Sequence, residues 1–356
     1  MTGRGIDQVL PWPGDPRLHE PYVVNAKRYV EIAEQANGAI AKPVSFSYIW
    51  GDALRELQRM APDVRIINLE TSVTTSDDYW RGKGIHYRMH PKNVPCLTAA
   101  GINCCTLANN HVLDWGYQGL TQTLQTLHGA NLKTAGAGLN VVEAREPALM
   151  EVKGKGRVIV FSFGMESSGV EWQMAAKANR PGVNLLADLS SKTISQINKQ
   201  VQAVRQPGDI VVASIHWGGN WGYRIPREHI QFAHQLIDAA AVDVLHGHSS
   251  HHAVGIEIYK DKPIIYGCGD LLNDYEGISG YEEYRDDLAL MYFLRITPAS
   301  GKLVSFEMVP FQIRQFRLNR AAEEDAAWLQ DMFNREGRRF NSRVKLSKDL
   351  HLSLEW

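Results

Sequence analysis

The stretch Gly101-Ile102-Asn103-Cys104-Cys105-Thr106-Leu107-Ala108-Asn109-Asn110-His111-Val112-Leu113-Asp114-Trp115-Gly116 decides how this chain is read. Its first seven residues make a short, mostly apolar run of β type. Two amides and an imidazole follow, and a carboxylate three residues later. Short amide side chains satisfy free backbone groups at a tight turn or helix start, so Asn109 and Asn110 suit a strand that ends in a turn. In open α/β folds such turns lie at the carboxyl edge of the sheet, where ligands bind. Asn110, His111 and Asp114 are therefore candidates for holding a metal ion or moving a proton. Taken alone, the same residues read equally well as a capped helix after a strand.

Outward from this stretch the design recurs. Residues 64–71 form an apolar run closing on Asn68 and Glu70, and residues 209–219 form a longer one closing on His216, Trp217 and two glycines. Glycine there leaves backbone that a ligand can approach closely. Residues 242–245 lead into His246-Gly247-His248-Ser249-Ser250-His251-His252, the densest group of imidazoles in the chain. His229 and His234, by contrast, sit at helical spacing within 228–240 and read as structural. In the loop at 77–90, Lys83 and Arg88 are candidate substrate-binding groups, because a guanidinium presents a forked donor to carboxylate or phosphate. Solvated surface charge is the plainer reading of that loop.

The rest is a regular alternation. Helices are expected at 25–36, 50–60, 91–100, 117–129, 189–205, 228–240 and 323–341. Further strands are expected at 132–136, 147–152, 158–163, 255–259, 263–266, 288–296 and 303–311. Irregular chain is expected up to residue 22, and a strand-like cover after the last helix. Strands alternating with helices imply an α/β fold with a mostly parallel sheet, whose carboxyl edges lie together. Glu70, Asn110, His111, Asp114, His216, His248 and His251 should then meet in one cleft. This carboxylate, amide and imidazole set lacks thiolate and suits Mn, Fe or Zn. Two such ions about 4 Å apart deliver a bridging hydroxide and stabilise the leaving oxygen.

Composition excludes several classes. A formal net charge of -1 over 356 residues gives no field that recruits nucleic acid or an anionic membrane. No run approaches the roughly 20 apolar residues that span a bilayer, and the first residues lack a signal-peptide pattern. The chain as written is therefore expected to be cytoplasmic, without a membrane segment. Cys96, Cys104, Cys105 and Cys268 form no Cys-x-x-Cys pair and read as buried free thiols of a reducing compartment.

The order Asn68-Leu69-Glu70, then Ala108-Asn109-Asn110-His111 with Asp114 and Gly116, then His216-Trp217-Gly218, then Gly247-His248 with His251, resembles the CapA-type capsule-synthesis proteins. These are linked to poly-γ-glutamate synthesis and belong to the calcineurin-like metallophosphatase superfamily. The resemblance runs from about residue 3 to the end. It implies a calcineurin-like sandwich, two mixed sheets flanked by helices, over 1–312, with 313–356 as a helix-and-strand cover of the same domain. It implies metal positions at Glu70, Asn110, His216 and His251, with His248 as a substitute ligand. His111 would protonate or stabilise the transition state, oriented by Asp114.

Three departures stand out. The superfamily's first metal-binding Gly-Asp would precede Thr2-Gly3-Arg4-Gly5, so either the start lies upstream or a central strand and one metal site are missing. Ser249 and Ser250 replace the His-Pro of the usual Gly-x-His-Pro-His motif. Asn220 stands where many relatives carry glutamate. The expected activity is metal-dependent hydrolysis of a phosphoester or γ-linked amide in an anionic small molecule or polymer. Metal-free peptide epimerisation is the alternative, with His111, His248 and His251 exchanging protons. A non-catalytic accessory of a polymer synthase or exporter is the third reading.

Overall fold

The chain folds around three main sheets in this computed structural model, which describes residues 1–298 and 300–356. Strands are numbered β1 Ile66–Asn68, β2 Cys104–Thr106, β3 Lys133–Ala135, β4 Ala148–Val152, β5 Gly156–Gly164, β6 Ile210–His216 and β7 Val244–His248. They continue as β8 Ile256–Tyr259, β9 Lys262–Ile265, β10 Leu288–Thr297, β11 Lys302–Ile313, β12 Leu318–Arg320, β13 Arg343–Leu346 and β14 Leu352–Glu355. The first sheet has the order β1-β2-β3 and is parallel throughout. The second has six strands in the order β8-β9-β7-β6-β5-β4, parallel across β9-β7-β6-β5 with an antiparallel strand at each edge. The third is antiparallel, in the order β10-β11-β14-β13 with β12 beside β11.

Period-two alternation along β6 shows why these strands stack as layers. Val211, Ala213 and Ile215 pack into one core with helices α5 (Ser191–Val204) and α6 (Arg227–Ala240). Ile210 and Val212 face the other way, into a core shared with Cys104, Ala135 and Val244, against which Ile66, Leu294 and Ile296 pack. The six-stranded sheet therefore has helices on one face and the other two sheets on the other. Helices α3 (Ala53–Met60) and α4 (Gly116–Gly129) contribute Leu57, Leu120 and Leu124 to the core beyond the first sheet. Helix α7 (Glu323–Gly337) covers the third, through Leu329, Met332 and Phe333.

Two local departures from expectation have simple causes. The first residues are not a free loop: residues 5–9 form a buried helical turn, α1 (Gly5–Val9), with Ile6 and Val9 fully buried. Arg4 anchors it with a bidentate bond to Asp274 and a further ion pair to Glu20. The histidine run begins inside a strand, since β7 extends to His248. Gly247 makes this possible, because a Cβ there would collide with the carbonyl oxygens of Ile265 and Tyr266.

The first and third sheets do not touch edge to edge. Among the described residues no strand pairs with the outer edge of β1 or of β10. Between these edges runs an elongated cavity of about 1120 Å³. Its walls include residues 61–70 and 290–298, and its floor Val212, Val244 and Ile265 of the six-stranded sheet. At one end stand Met1, Glu70, His248 and Asp270.

Candidate functional site

The carboxyl ends of the parallel strands do gather polar groups, and Asn109 does the gathering. Its amide donates to Asn68 Oδ1 and to the Leu69 carbonyl, each at 3.0 Å. Its oxygen accepts the His111 N–H at 3.0 Å, closing the turn after β2. This one side chain fixes the exits of β1 and β2 together. Asn68 then donates to Glu70 Oε2 at 2.9 Å.

Around Glu70 Oε1 lie His216 Nε2 at 3.9 Å and His111 Nε2 at 4.0 Å. Asn110 Oδ1 lies 3.0 Å from His216 Nε2. Glu70 is buried, which pushes its carboxyl up to about 7, His251 opposing and Asp270 adding to the rise. Among the described residues its one hydrogen-bond donor is the Asn68 amide, so the buried carboxylate is only partly compensated.

His111 Nδ1 lies 2.7 Å from Asp114 Oδ2, and Asp114 also accepts the Tyr87 N–H at 2.6 Å. Lys83 reaches in from the 77–86 loop to Asp114, to the Asn110 carbonyl and to within 3.0 Å of His111 Nδ1. Burial drives the His111 imidazole down to about 4; Asp114 pulls it back up and the Lys83 cation adds to the fall. The ring is therefore neutral at pH 7. Lys83 thus belongs to the His111–Asp114 pair.

A second histidine–aspartate pair lies close enough to act on the Glu70 charge. His251 Nδ1 lies 3.1 Å from Asp270 Oδ2, which Asn273 also holds at 3.0 Å. Burial opposes charge on this imidazole, yet Asp270 and Glu70 leave its proton held more tightly than usual. Ser249, two residues earlier, adopts φ +111° in a region that L-residues rarely enter.

Behind both pairs runs a buried polar line. His216 Nδ1 meets His248 Nδ1 at 2.8 Å, and His248 Nε2 meets Ser214 Oγ at 2.8 Å. Ser214 also reaches His246 Nδ1 at 3.1 Å and donates to Thr106 Oγ1, across the sheet interface, at 3.1 Å. Burial lowers all three imidazoles, His246 to about 4 and His216 and His248 well below the usual range.

Of the residues singled out in the sequence, Glu70, Asn110, His111, Asp114, His216, His248 and His251 form this one connected cluster, with Lys83. Arg88 does not join it. Its guanidinium donates to the Ser76 and Asp15 carbonyls and to Asp77, and it stacks 3.6 Å over the Trp115 ring. His229 stacks on Trp217 and His234 on Tyr259, in structural settings. Asp270, Ser214, His246 and Tyr87 belong to the cluster without having been singled out. Asp270 follows an apolar strand and two glycines, a polar group after an apolar run as at His216; a serine inside a strand gives no such signal.

In kind, the donors suit a metal of intermediate hardness: the Glu70 carboxylate, the Asn110 amide oxygen and the His216 imidazole lie close together. Among the described residues, however, no group of three His, Cys, Asp or Glu side chains is closed tightly enough to hold an ion.

The fold and cluster define an α/β protein with a buried polar cluster at the carboxyl ends of parallel strands. A family model described as bacterial capsule synthesis protein PGA_cap matches residues 1–275. The chain is 48% identical over 350 residues to a probable polyglutamine synthesis accessory protein of Mycobacterium tuberculosis, covering 98% of this chain and 92% of the relative. It is 30% identical over 293 residues to the PGA biosynthesis protein CapA of Bacillus subtilis, covering 81% of this chain and 69% of the relative. It is 27% identical over 233 residues to the capsule biosynthesis protein CapA of Bacillus anthracis, covering 65% and 53%. The chain belongs to the PGA_cap capsule-synthesis family. No helix among the described residues is long and apolar enough to cross a membrane.

Proposed function

We propose that the protein serves the metabolism of poly-γ-glutamate or a related capsule polymer as a metal-assisted hydrolase on a calcineurin-like sandwich, cleaving a phosphoester or a γ-linked amide. The observation that carries this reading is the convergence of Asn110, His111 and His216 on the buried, partly compensated carboxylate of Glu70. Glu70, Asn110 and His216 would hold the ion, with His251 completing the set. A bound ion of this kind brings the pKa of a coordinated water toward neutrality. His111, oriented by Asp114 and neutral at pH 7, stands ready to accept a proton at Nε2 or to hydrogen-bond an oxygen of the substrate. Lys83 keeps Asp114 ionised, so Asp114 fixes the ring without taking up the proton itself.

The test is to strip the purified protein with a chelator and reload it with Mn, Fe(II) or Zn. Metal content and hydrolysis of an aryl phosphate and of γ-glutamyl oligomers are then measured. At least one equivalent of bound metal and metal-restored cleavage are expected. Full activity in the stripped protein overturns the reading.

A metal-free epimerase on the same scaffold is the second reading, favoured by one observation: the two imidazoles near Glu70 are shifted in opposite directions, His111 down by burial and His251 up by Asp270 and Glu70 against its own burial. One acid and one base on opposite faces of a carbon are what epimerisation needs. Solvent deuterium entering an intact peptide would select it. An accessory role without catalysis, as the names of the mycobacterial relatives suggest, predicts no turnover under either assay and co-purification with polymer-synthase components.

A further inference from the structure

We propose that the loop between β6 and α6 holds an oxyanion carried by the substrate, a carboxylate or a phosphate group, in a small pocket beside His251. That the anion belongs to the substrate rests on the Glu70 cluster being the reacting centre; the pocket stands on geometry of its own.

Residues 217–226 read Trp-Gly-Gly-Asn-Trp-Gly-Tyr-Arg-Ile-Pro. Most of this loop, with His229, Ser250 and Tyr266, encloses a pocket of about 80 Å³. That is room for several waters, or for one carboxylate or phosphate group. Glycine makes the room. A Cβ on Gly219 or Gly222 would meet nothing within 4 Å, and one on Gly218 would meet only His229 Cε1, at 3.6 Å. Gly218 and Gly222 take φ +76° and +107°, where a side chain is strained.

The wall is rich in donors and free of acid. Ser250 is only 9% exposed, yet its hydroxyl has no hydrogen-bond partner among the described residues. A buried hydroxyl left unpaired is costly, and a bound acceptor removes that cost. The Gly219 and Trp221 N–H groups make no backbone hydrogen bond. Arg224, exposed at the surface, adds a forked cation to the lining. His229 lies flat on Trp217, ring centroids 4.4 Å apart, and turns Cε1, the carbon between its two nitrogens, toward Gly218. Helix α6 begins at the same place: Ile225 and Pro226 line the pocket, and no side chain caps the first turn. Such a helix start favours negative charge. No Asp or Glu stands among the lining residues; Glu228, on the helix, is an acid whose charge reaches His229.

The pocket shares a wall with the candidate site. Trp221 lines it, and its ring centroid lies 5.3 Å from that of His251. The Asn220 carbonyl accepts the His251 N–H at 3.0 Å. Consecutive residues therefore serve two places: Ser250 lines the pocket, and His251 meets Asp270. An anion seated there stands beside the reacting centre without taking up Glu70, Asn110 or His216.

The experiment titrates the purified, chelator-treated protein, isotope-labelled for NMR, with a γ-glutamyl oligomer, with phenyl phosphate and with inorganic phosphate. The signals followed are the Gly219 and Gly222 amides and the His229 ring. Saturable shifts with at least one of the two organic probes are expected. The oligomer alone names a carboxylate, and phenyl phosphate alone names a phosphate. Arg224→Met and Ser250→Ala should each weaken binding about 10-fold, with Arg224→Lys recovering part of the loss. Gly219→Val, whose side chain enters open space, should abolish binding while circular dichroism and Tm keep their wild-type values. No saturable shift with any probe overturns the proposal, as does binding that all three weakening variants leave unchanged. Saturation by inorganic phosphate alone marks an adventitious ion only and also overturns it. Neither metal nor turnover enters these readouts, so binding that persists without hydrolysis, or hydrolysis without this binding, tells the two readings apart.

Discussion

Two histidine–aspartate pairs act on Glu70, built alike and shifted in opposite directions. His111 with Asp114 and His251 with Asp270 both join Nδ1 to a carboxylate oxygen, at 2.7 and 3.1 Å, and both rings are buried. The tighter pair holds its proton less well. Burial pushes His111 down to about 4, and the Lys83 and Arg4 cations add to the fall. His251 is also opposed by burial, but it has Asp270 and Glu70 as its charged neighbours, and its proton is held more tightly than usual. A carboxylate at hydrogen-bond distance orients an imidazole; the sum of the surrounding charges decides whether it carries a proton.

The largest test of this difference removes each carboxylate in turn. Asp114→Ala leaves the Lys83 ammonium, the Tyr87 N–H and the His111 ring unpaired in a dry interior, and is expected to cost about 3–5 kcal/mol in urea unfolding. Asp270→Ala orphans no lysine, only the His251 ring and the Asn273 amide, and should cost about 1–2 kcal/mol. Equal losses would break the comparison.

The next test reads the rings directly, by NMR titration of the metal-free protein. Lys83→Met removes a cation beside His111 and should move its titration upward. Asp270→Asn removes an anion beside His251 and should move that ring downward. If neither ring moves, burial alone sets both.

A smaller effect follows in stability against pH. A histidine whose folded pKa is raised contributes stability that is complete below its unfolded value of about 6.5 and is lost as pH rises through the folded value. The stability gap between wild type and Asp270→Asn should therefore be widest below pH 6 and close on the alkaline side. Asp209, far from the site and held down by Arg157, supplies the opposite sign. Its contribution is present above about pH 4 and is lost on acidification. Asp209→Asn should cost about 1 kcal/mol at pH 7 and almost nothing near pH 2.

Much of this was legible in the sequence because polar residues that interrupt apolar runs mark strand exits. Glu70, Asn110, His216 and His251 were found that way, and Asp270 obeys the same rule. What stayed hidden depends on packing at long range. Arg88 reads as an anion-binding group, yet it closes on Trp115 and on Asp77 eleven positions earlier. Lys83 looks like a surface lysine until its loop folds over Asn110. The opening residues read as loop because Ile6 and Val9 bury themselves through an anchor 270 positions away, the Arg4–Asp274 pair. The carbonyls that force glycine at 247 come from β9 and the residue after it, a strand that pairs with β7 only once the fold is complete.

Ser214 has a consequence for any systematic survey of substitutions. Its one hydroxyl is shared between Thr106, on the facing sheet, and two rings of the histidine line. An alanine there would loosen the bolt between two layers and release the tilt of His248 in the same stroke. A scan that sorts positions into those that keep a protein folded and those that keep it working has no bin for such a residue, and will file it according to whichever assay was run first.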